Sequence, residues 1–288
     1  MTDDVERVRV VAPDGIELDA AVHRPASDGS DAPDGSGRSG ARGTVLLVHG
    51  ISADLDEGGA FVRLAERLAG EGLTAVRFSF RGHGASGGSP QGVTIAGEML
   101  DLEAVAAYAA REFGGPTAVV AASFGAVATG LSMPWLGPRL ARLALWNPVL
   151  DLRRTFLAPE LPWGLANFGP GPMKSLAETG ELPLGGHFPL GRVLFAEMAC
   201  HRPIESYAAG GPPALVVHGD RDSYVSYDIA RQVAGTLPGW QFHALPGADH
   251  GFHTPAHESA AIEVTARWLT AGCAKDADRA TDDTSPRG

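Results

Sequence analysis

The sequence predicts an α/β fold, a mostly parallel eight-stranded sheet with helices on both faces. Two observations carry this. Short apolar runs alternate with longer amphipathic ones from residue 44 to 147 and again from 213 to 271, and such alternation builds a parallel sheet between two helical layers. Strand ends along the chain also run into loops bearing a serine, then aspartates, then a histidine.

Taken in order, Glu6 to Ala12 and Ile16 to Arg24 are split by Pro13-Asp14-Gly15 and read as a hairpin that opens the sheet. Residues 26–43 are Ser, Gly, Asp and Ala with almost no apolar content, and are expected to be a mobile insertion. Strand 44–49, helix 58–71, strand 74–80, helix 94–112, strand 117–122, helix 124–132 and strand 141–147 follow. After an interruption the pattern resumes with strand 213–218, helix 225–236, strand 240–245 and helix 255–271. The domain expectation is a core of residues 1–150 and 207–271, a cap or lid at 151–206 entering after strand six, and a disordered tail at 272–288. A stretch as long as 151–206 without clean periodicity is usually functional or mobile. It could instead be a structural excursion whose apolar residues pack on the sheet.

The chemistry starts at Thr117-Ala118-Val119-Val120-Ala121-Ala122-Ser123-Phe124-Gly125, an apolar strand running into a serine. A turn this sharp strains the serine backbone and brings neighbouring backbone close, so the positions two before and two after must be small. Here they are Ala121 and Gly125, an A-x-S-x-G variant of the commoner G-x-S-x-G. Taken alone, the segment also fits a buried strand followed by a helix-capping serine. A nucleophilic serine needs a base, an acid that fixes the base's tautomer, and two N–H groups for the oxyanion. Strand 213–218 leads to Asp220 and Asp222, and strand 240–245 leads to His250.

With these motifs the chain resembles the α/β-hydrolase superfamily over about residues 5 to 271. The resemblance implies that Asp222 is the acid, through the pattern Gly219, Asp222, Val225. It makes His250, in Gly247-Ala248-Asp249-His250-Gly251-Phe252, the base, and Leu46-Leu47-Val48-His49-Gly50-Ile51 the oxyanion strand. Ser123, Asp222 and His250 are then the catalytic set, and the N–H groups of Ile51 and Phe124 the oxyanion hole. Ser52, Trp163 and Phe168 are the expected substrate-binding residues, with the cap's apolar side chains lining an acyl pocket. At finer grain, Phe78-Ser79-Phe80-Arg81-Gly82-His83-Gly84-Ala85-Ser86-Gly87 is similar to a turn of cinnamoyl and feruloyl esterases and of serine-aminopeptidase-like hydrolases. The Ala-Ala-Ser elbow, Pro148 to Arg153 and Leu184-Gly185-Gly186-His187 are similar to the acyl-ACP thioesterase of bacterial luminescence systems. The implied activity is cleavage of a small-molecule carboxylic ester or thioester through an acyl-enzyme. One alternative is a thioesterase or acyltransferase serving an acyl carrier protein, with Arg153, Arg154 and Lys174 in the cap as candidate contacts. Another is a non-hydrolytic binding protein on the same scaffold.

Several residues carry milder readings. Asp220 is expected to brace its loop, and Asp151 is a variant acid position after strand six. His253 reads as a surface residue, and His49 and His83 as braces of the oxyanion loop. Gly82-His83-Gly84-Ala85-Ser86-Gly87 fits the dinucleotide pattern G-x-G-x-x-G, but Gly88-Ser89-Pro90-Gln91-Gly92 follows where that pattern needs a helix N-terminus. No cofactor is expected. Cys200 and Cys273 form no C-x-x-C or Cys/His cluster, so free thiols and no metal are expected. A net charge of −11 disfavours nucleic acid. No apolar run reaches about 18 residues, so no membrane span is expected. The acidic start Met1-Thr2-Asp3-Asp4 lacks a signal-peptide pattern, and a cytoplasmic location is the expectation.

Overall fold

The computed structural model describes residues 5–26, 41–114 and 117–282. Most of the expected insertion and the last six residues of the expected tail lie outside these. Strands β1 (Val5–Val11) and β2 (Glu17–His23) form the opening hairpin, and β3 (Thr44–Val48), rich in β-branched and aliphatic residues, is buried at every position. Helix α1 (Ala60–Gly70) buries Phe61, Leu64, Ala65 and Leu68, the one-face spacing of a helix that packs on a sheet. Next come β4 (Thr74–Phe78), α2 (Ile95–Glu112), β5 (Thr117–Ala122), α3 (Gly125–Leu131), the short α4 (Met133–Leu136) and β6 (Leu140–Trp146). Thr94 caps α2, its Oγ1 accepting the Gly97 N–H at 3.0 Å.

After β6 the chain leaves the sheet and returns at β9 (Ala214–Gly219), followed by α9 (Tyr227–Thr236), β10 (Trp240–Leu245) and α10 (Pro255–Asp282). The eight main strands are ordered β1-β2-β4-β3-β5-β6-β9-β10. β1 and β2 run antiparallel to their neighbours and the rest are parallel. Alternate residues serve opposite faces, as the two-residue strand period requires. Leu46, Val48, Val119 and Ala121 meet α2 and α3, whereas Val45, Leu47, Val120 and Ala122 meet α1 and α10. The fold is that expected, an eight-stranded α/β sheet with an excursion after strand six.

The C-terminal boundary differs from expectation. α10 continues to Asp282, past the expected break at 271. The segment from Ala271 to Asp282 is polar, but its Ala, Lys and Arg residues are good helix formers and it contains no proline. The excursion is also not structureless. It comprises a π-helical turn (Arg153–Leu157), α5 (Pro162–Phe168), α6 (Pro170–Thr179), a hairpin of β7 (Glu181–Leu184) and β8 (Phe188–Gly191), α7 (Arg192–Cys200) and α8 (Pro203–Ala208). None of these pieces exceeds ten residues, too short to show a period in sequence. α8 belongs with the core, where the Tyr207 hydroxyl donates to the Ala126 carbonyl at 2.7 Å and the ring packs edge-on against Trp240. The rest closes a third apolar cluster, in which Phe156, Phe168, Leu190, Leu194 and Met198 cover Phe124 and Val127 of α3.

One polar contact also joins excursion and core, as the Glu197 carboxylate on α7 accepts the Ile95 N–H at the start of α2. Nearby Glu98 is 1% exposed, and one of its carboxyl oxygens has no hydrogen-bond partner. Burial pushes the Glu98 carboxyl well up, helped by the charges of Asp101 and Glu197 and opposed by Arg81. The folded chain thus keeps a proton that the unfolded chain releases above about pH 4.3, and this group lowers stability as pH rises from there. Glu98→Gln is expected to flatten the decline in unfolding free energy between pH 5 and 8, measured by urea denaturation. An equally steep decline in the variant would assign it to other groups.

Candidate active site

The β5–α3 turn is made in one residue. Ser123 has φ +49, a left-handed conformation that non-glycine residues adopt only under constraint. Its N–H donates to the Trp146 carbonyl at 2.9 Å and its carbonyl accepts the Val149 N–H at 3.0 Å, fixing the turn to β6. The expected need for small neighbours has a direct cause. A Cβ at Gly125 would lie 2.5 Å from the His49 oxygen and 2.6 Å from the Val48 oxygen, and one at Gly50 would lie 3.0 Å from Ser123 Cβ. The side chain of Ala121 points into the buried face shared with α2 and α3, so its extra methyl is accommodated.

Ser123, Asp222 and His250 come together. Ser123 Oγ lies 2.9 Å from His250 Nε2, and His250 Nδ1 lies 2.7 Å from Asp222 Oδ2. Asp222 is fully buried, and its Oδ1 accepts the N–H groups of Tyr224 at 2.8 Å and Val225 at 3.0 Å. Burial pushes its carboxyl up, but the charge and hydrogen bond of His250 and the close approach of His218 outweigh this and hold it well below the usual carboxylate range. Asp220 braces its loop, with Oδ1 accepting the Gly247 N–H at 2.7 Å. Asp151 accepts the Arg154 N–H at 3.0 Å, and exposed His253 pairs with Asp249. His49 is buried, its Nδ1 donating to the Gly50 carbonyl and its Nε2 accepting the Phe80 N–H. Burial, with His83 beside it, lowers His49 to about 3, and burial lowers His83 to about 4. Both are neutral, and His49 braces the turn after β3, whereas the hydrogen bond of His83 goes to the Arg81 carbonyl in its own turn and its contact with His49 is ring to ring.

A cavity of about 230 Å³ opens on Ser123 and His250 beneath the excursion. Ile51, Ser52, Thr155, Phe156, Trp163 and Leu184 are among its lining residues. Ile51 and Ser52 lie in the turn that follows β3, Ser52 at φ +59. The Phe124 N–H precedes the first turn of α3 and so has no intrahelical carbonyl to bond. Phe168 departs from expectation. It is 1% exposed and does not line the cavity, packing instead behind the wall, edge-on to Phe156 and Trp163. Burying its whole ring among other aromatics won over facing the cavity.

Three residues at the site escaped the sequence reading. Glu57 has φ +46, and its carboxylate accepts the Gly50 N–H at 2.7 Å. It borders both this cavity and a second one of about 390 Å³ on the Trp146 side of Ser123 and His250. Burial pushes its carboxyl up, against the Gly50 N–H and the charge of His250. Asn147 has φ +42, its Nδ2 donating to the His250 carbonyl at 2.6 Å and its Oδ1 accepting the Gly219 N–H at 2.9 Å. Tyr224 stacks on His250 at 4.7 Å and on Trp163 at 4.5 Å. Asn147 follows a strand directly and was the one with a readable signal, since asparagine tolerates left-handed backbone.

This sheet, with a strained serine after β5, an aspartate after β9 and a histidine after β10, is the α/β-hydrolase fold. Residues 39–177 match the serine aminopeptidase S33 family, a family of that superfamily. Among solved structures the chain is similar to Est1E from Butyrivibrio proteoclasticus with ferulic acid bound, at 20% identity and a TM-score of 0.76, over 93% of this chain and 99% of that one. It is similar to a Pyrococcus furiosus esterase at 17% identity and TM-score 0.67, over 93% and 91%. It is likewise similar to mouse alpha/beta hydrolase domain-containing protein 10, at 16% and 0.69, over 92% and 98%. No curated protein matches the sequence. Among the described residues no helix is long and apolar enough to cross a membrane, and no cluster of potential metal ligands is present.

Because the Asn147 amide ties the acid and histidine loops together, Asn147→Ala is expected to cost about 2–4 kcal/mol for two buried hydrogen bonds. Urea unfolding measures it. A loss below about 0.5 kcal/mol, the level of an ordinary surface change, would show that the amide is no tie.

Proposed function

We propose that this chain is a serine hydrolase that cleaves a carboxylic ester or thioester through an acyl-enzyme. The observation that carries this is the unbroken contact from Ser123 Oγ through His250 to buried Asp222. His250 takes the Ser123 proton as Oγ attacks the acyl carbonyl. The N–H groups of Ile51 and Phe124 receive the oxyanion, and Asp222 holds His250 with Nδ1 protonated. His250 then protonates the leaving oxygen or sulfur, and water repeats the sequence to release the acid.

The excursion acts as a lid, with Trp163 and Phe156 forming the acyl wall. A small-molecule donor is favoured over an acyl carrier protein. Two of the three cap cations that would meet an acidic carrier are already paired, Arg154 with Glu160 at 2.5 Å and Lys174 with Glu178 at 3.8 Å.

Ser123→Ala is expected to abolish fluorophosphonate labelling and lower kcat by about 10⁶ with the fold intact, and Asp222→Asn to lower kcat by about 10⁴. Labelling that persists on another serine would overturn the assignment. For the lid, Trp163→Ala is expected to shift the preferred acyl length in a panel of p-nitrophenyl esters, each added methylene contributing up to about 0.8 kcal/mol until the cavity is full. Acetyl ester turnover should change little. A uniform loss at every length would make Trp163 a support of the fold.

A further inference from the structure

His218 is a buried histidine that the proposed mechanism does not use. It ends β9, four residues before Asp222, and its side chain has no solvent exposure. Tyr227 of α9 packs edge-on at 5.6 Å, and Phe242 of β10 lies at 6.4 Å. Neither ring nitrogen has an aligned hydrogen-bond partner. A fully buried imidazole in that condition needs an account, since buried polar groups are nearly always satisfied. Its nearest charged group supplies one. Nε2 lies 3.2 Å from Oδ2 of Asp222, the oxygen that also receives His250 Nδ1.

The geometry fixes the tautomer. With the proton on Nδ1, the Nε2 lone pair would face the carboxylate lone pairs and the N–H would point into apolar surroundings without an acceptor. With the proton on Nε2, the ring presents a positive edge to a carboxylate buried away from water. The titratable groups facing the ring are Asp222 and, from α9, Tyr227.

We infer that His218 is a positioning residue for the proposed acid, carrying its proton on Nε2 and sharing Asp222 Oδ2 with His250. It touches neither substrate nor reacting atoms. Its effect passes through Asp222 in two ways. It fixes the carboxylate that orients His250, and it draws off part of the negative charge that stabilises the His250 imidazolium. Losing it leaves Asp222 a stronger acceptor for His250, so the imidazolium persists to higher pH. The inference rests on the reading of Asp222 as the acid.

The first test needs no activity. In the wild-type chain labelled with 15N-histidine, the His218 imidazole is expected to show the Nε2–H tautomer with a slowly exchanging proton, assigned by its loss in His218→Gln and its survival in His250→Ala. An Nδ1–H tautomer would overturn the inference while leaving the serine hydrolase reading intact. The second test is kinetic. His218→Phe is expected to move the acid limb of kcat/KM upward by about one pH unit and to lower kcat about tenfold with KM little changed. His218→Gln, whose amide can still donate, should restore the limb toward the wild-type position. A limb unmoved in a folded His218→Phe chain, or moved equally in both variants, would overturn the role.

Discussion

The site depends on a close approach of backbone to backbone at the end of β3. β3 and β5 are neighbours in the sheet, with Val48 opposite Ala121, so a serine turning out of β5 must pass directly beside the chain leaving β3. Gly125 lies where any Cβ would collide with the carbonyls of Val48 and His49, and Gly50 lies against Ser123 itself. The absent side chains let the two turns converge. Convergence sets Ile51 and Ser123 on one cavity, and His49, neutral and bonded at both ring nitrogens, fixes the β3 turn. The strain at Ser123 is offset by its bonds to Trp146 and Val149, so the turn is over-determined by its neighbours.

His250 is held in a comparable way from several directions. Asp222 sets its ring nitrogen, Tyr224 covers one face, and Asn147 holds its backbone carbonyl. Trp163 stacks on Tyr224, and the Trp163 backbone N–H donates to the Ser223 carbonyl at 3.3 Å. The lid is thus in contact with the proposed base through one intervening ring. Under the proposed mechanism, a substrate that displaces Trp163 alters the packing of His250, which links acyl selection to the orientation of the base.

The sheet was legible because each strand has a hydrophobic run bounded by turn residues, and the order of serine, aspartate and histidine was legible because each follows such a run. The excursion was not, since its helices and strands are shorter than the windows in which periods appear, and the expected boundary at residue 206 cuts through α8, whose Tyr207 packs with the core. Phe168 looked like a pocket residue for the same reason that Trp163 did, an aromatic in the right segment. Only packing separates the one that faces the cavity from the one behind it. Glu57 was unreadable because its importance comes from a left-handed turn and a reach back to Gly50, neither of which has a sequence signal. The helix past residue 271 was misjudged because polar composition was given more weight than propensity.

Asp222 and Glu57 show how one functional group is put to two uses within one site. Asp222 receives two backbone N–H groups and two histidines, which outweigh its burial and keep it anionic beside the base. Glu57 receives a single N–H from Gly50, too little to outweigh burial, and its carboxyl is pushed toward the neutral form. Carboxyl groups driven apart in this way mark the division of labour in an acid–base site. Under the proposed mechanism, Asp222 holds its charge beside His250, and the Glu57 carboxyl, raised by burial, lies on the Gly50 side of the cavity. Under that mechanism a charged Glu57 would oppose an oxyanion formed at the Ile51 and Phe124 N–H groups, so pushing its carboxyl toward the neutral form favours the serine's attack.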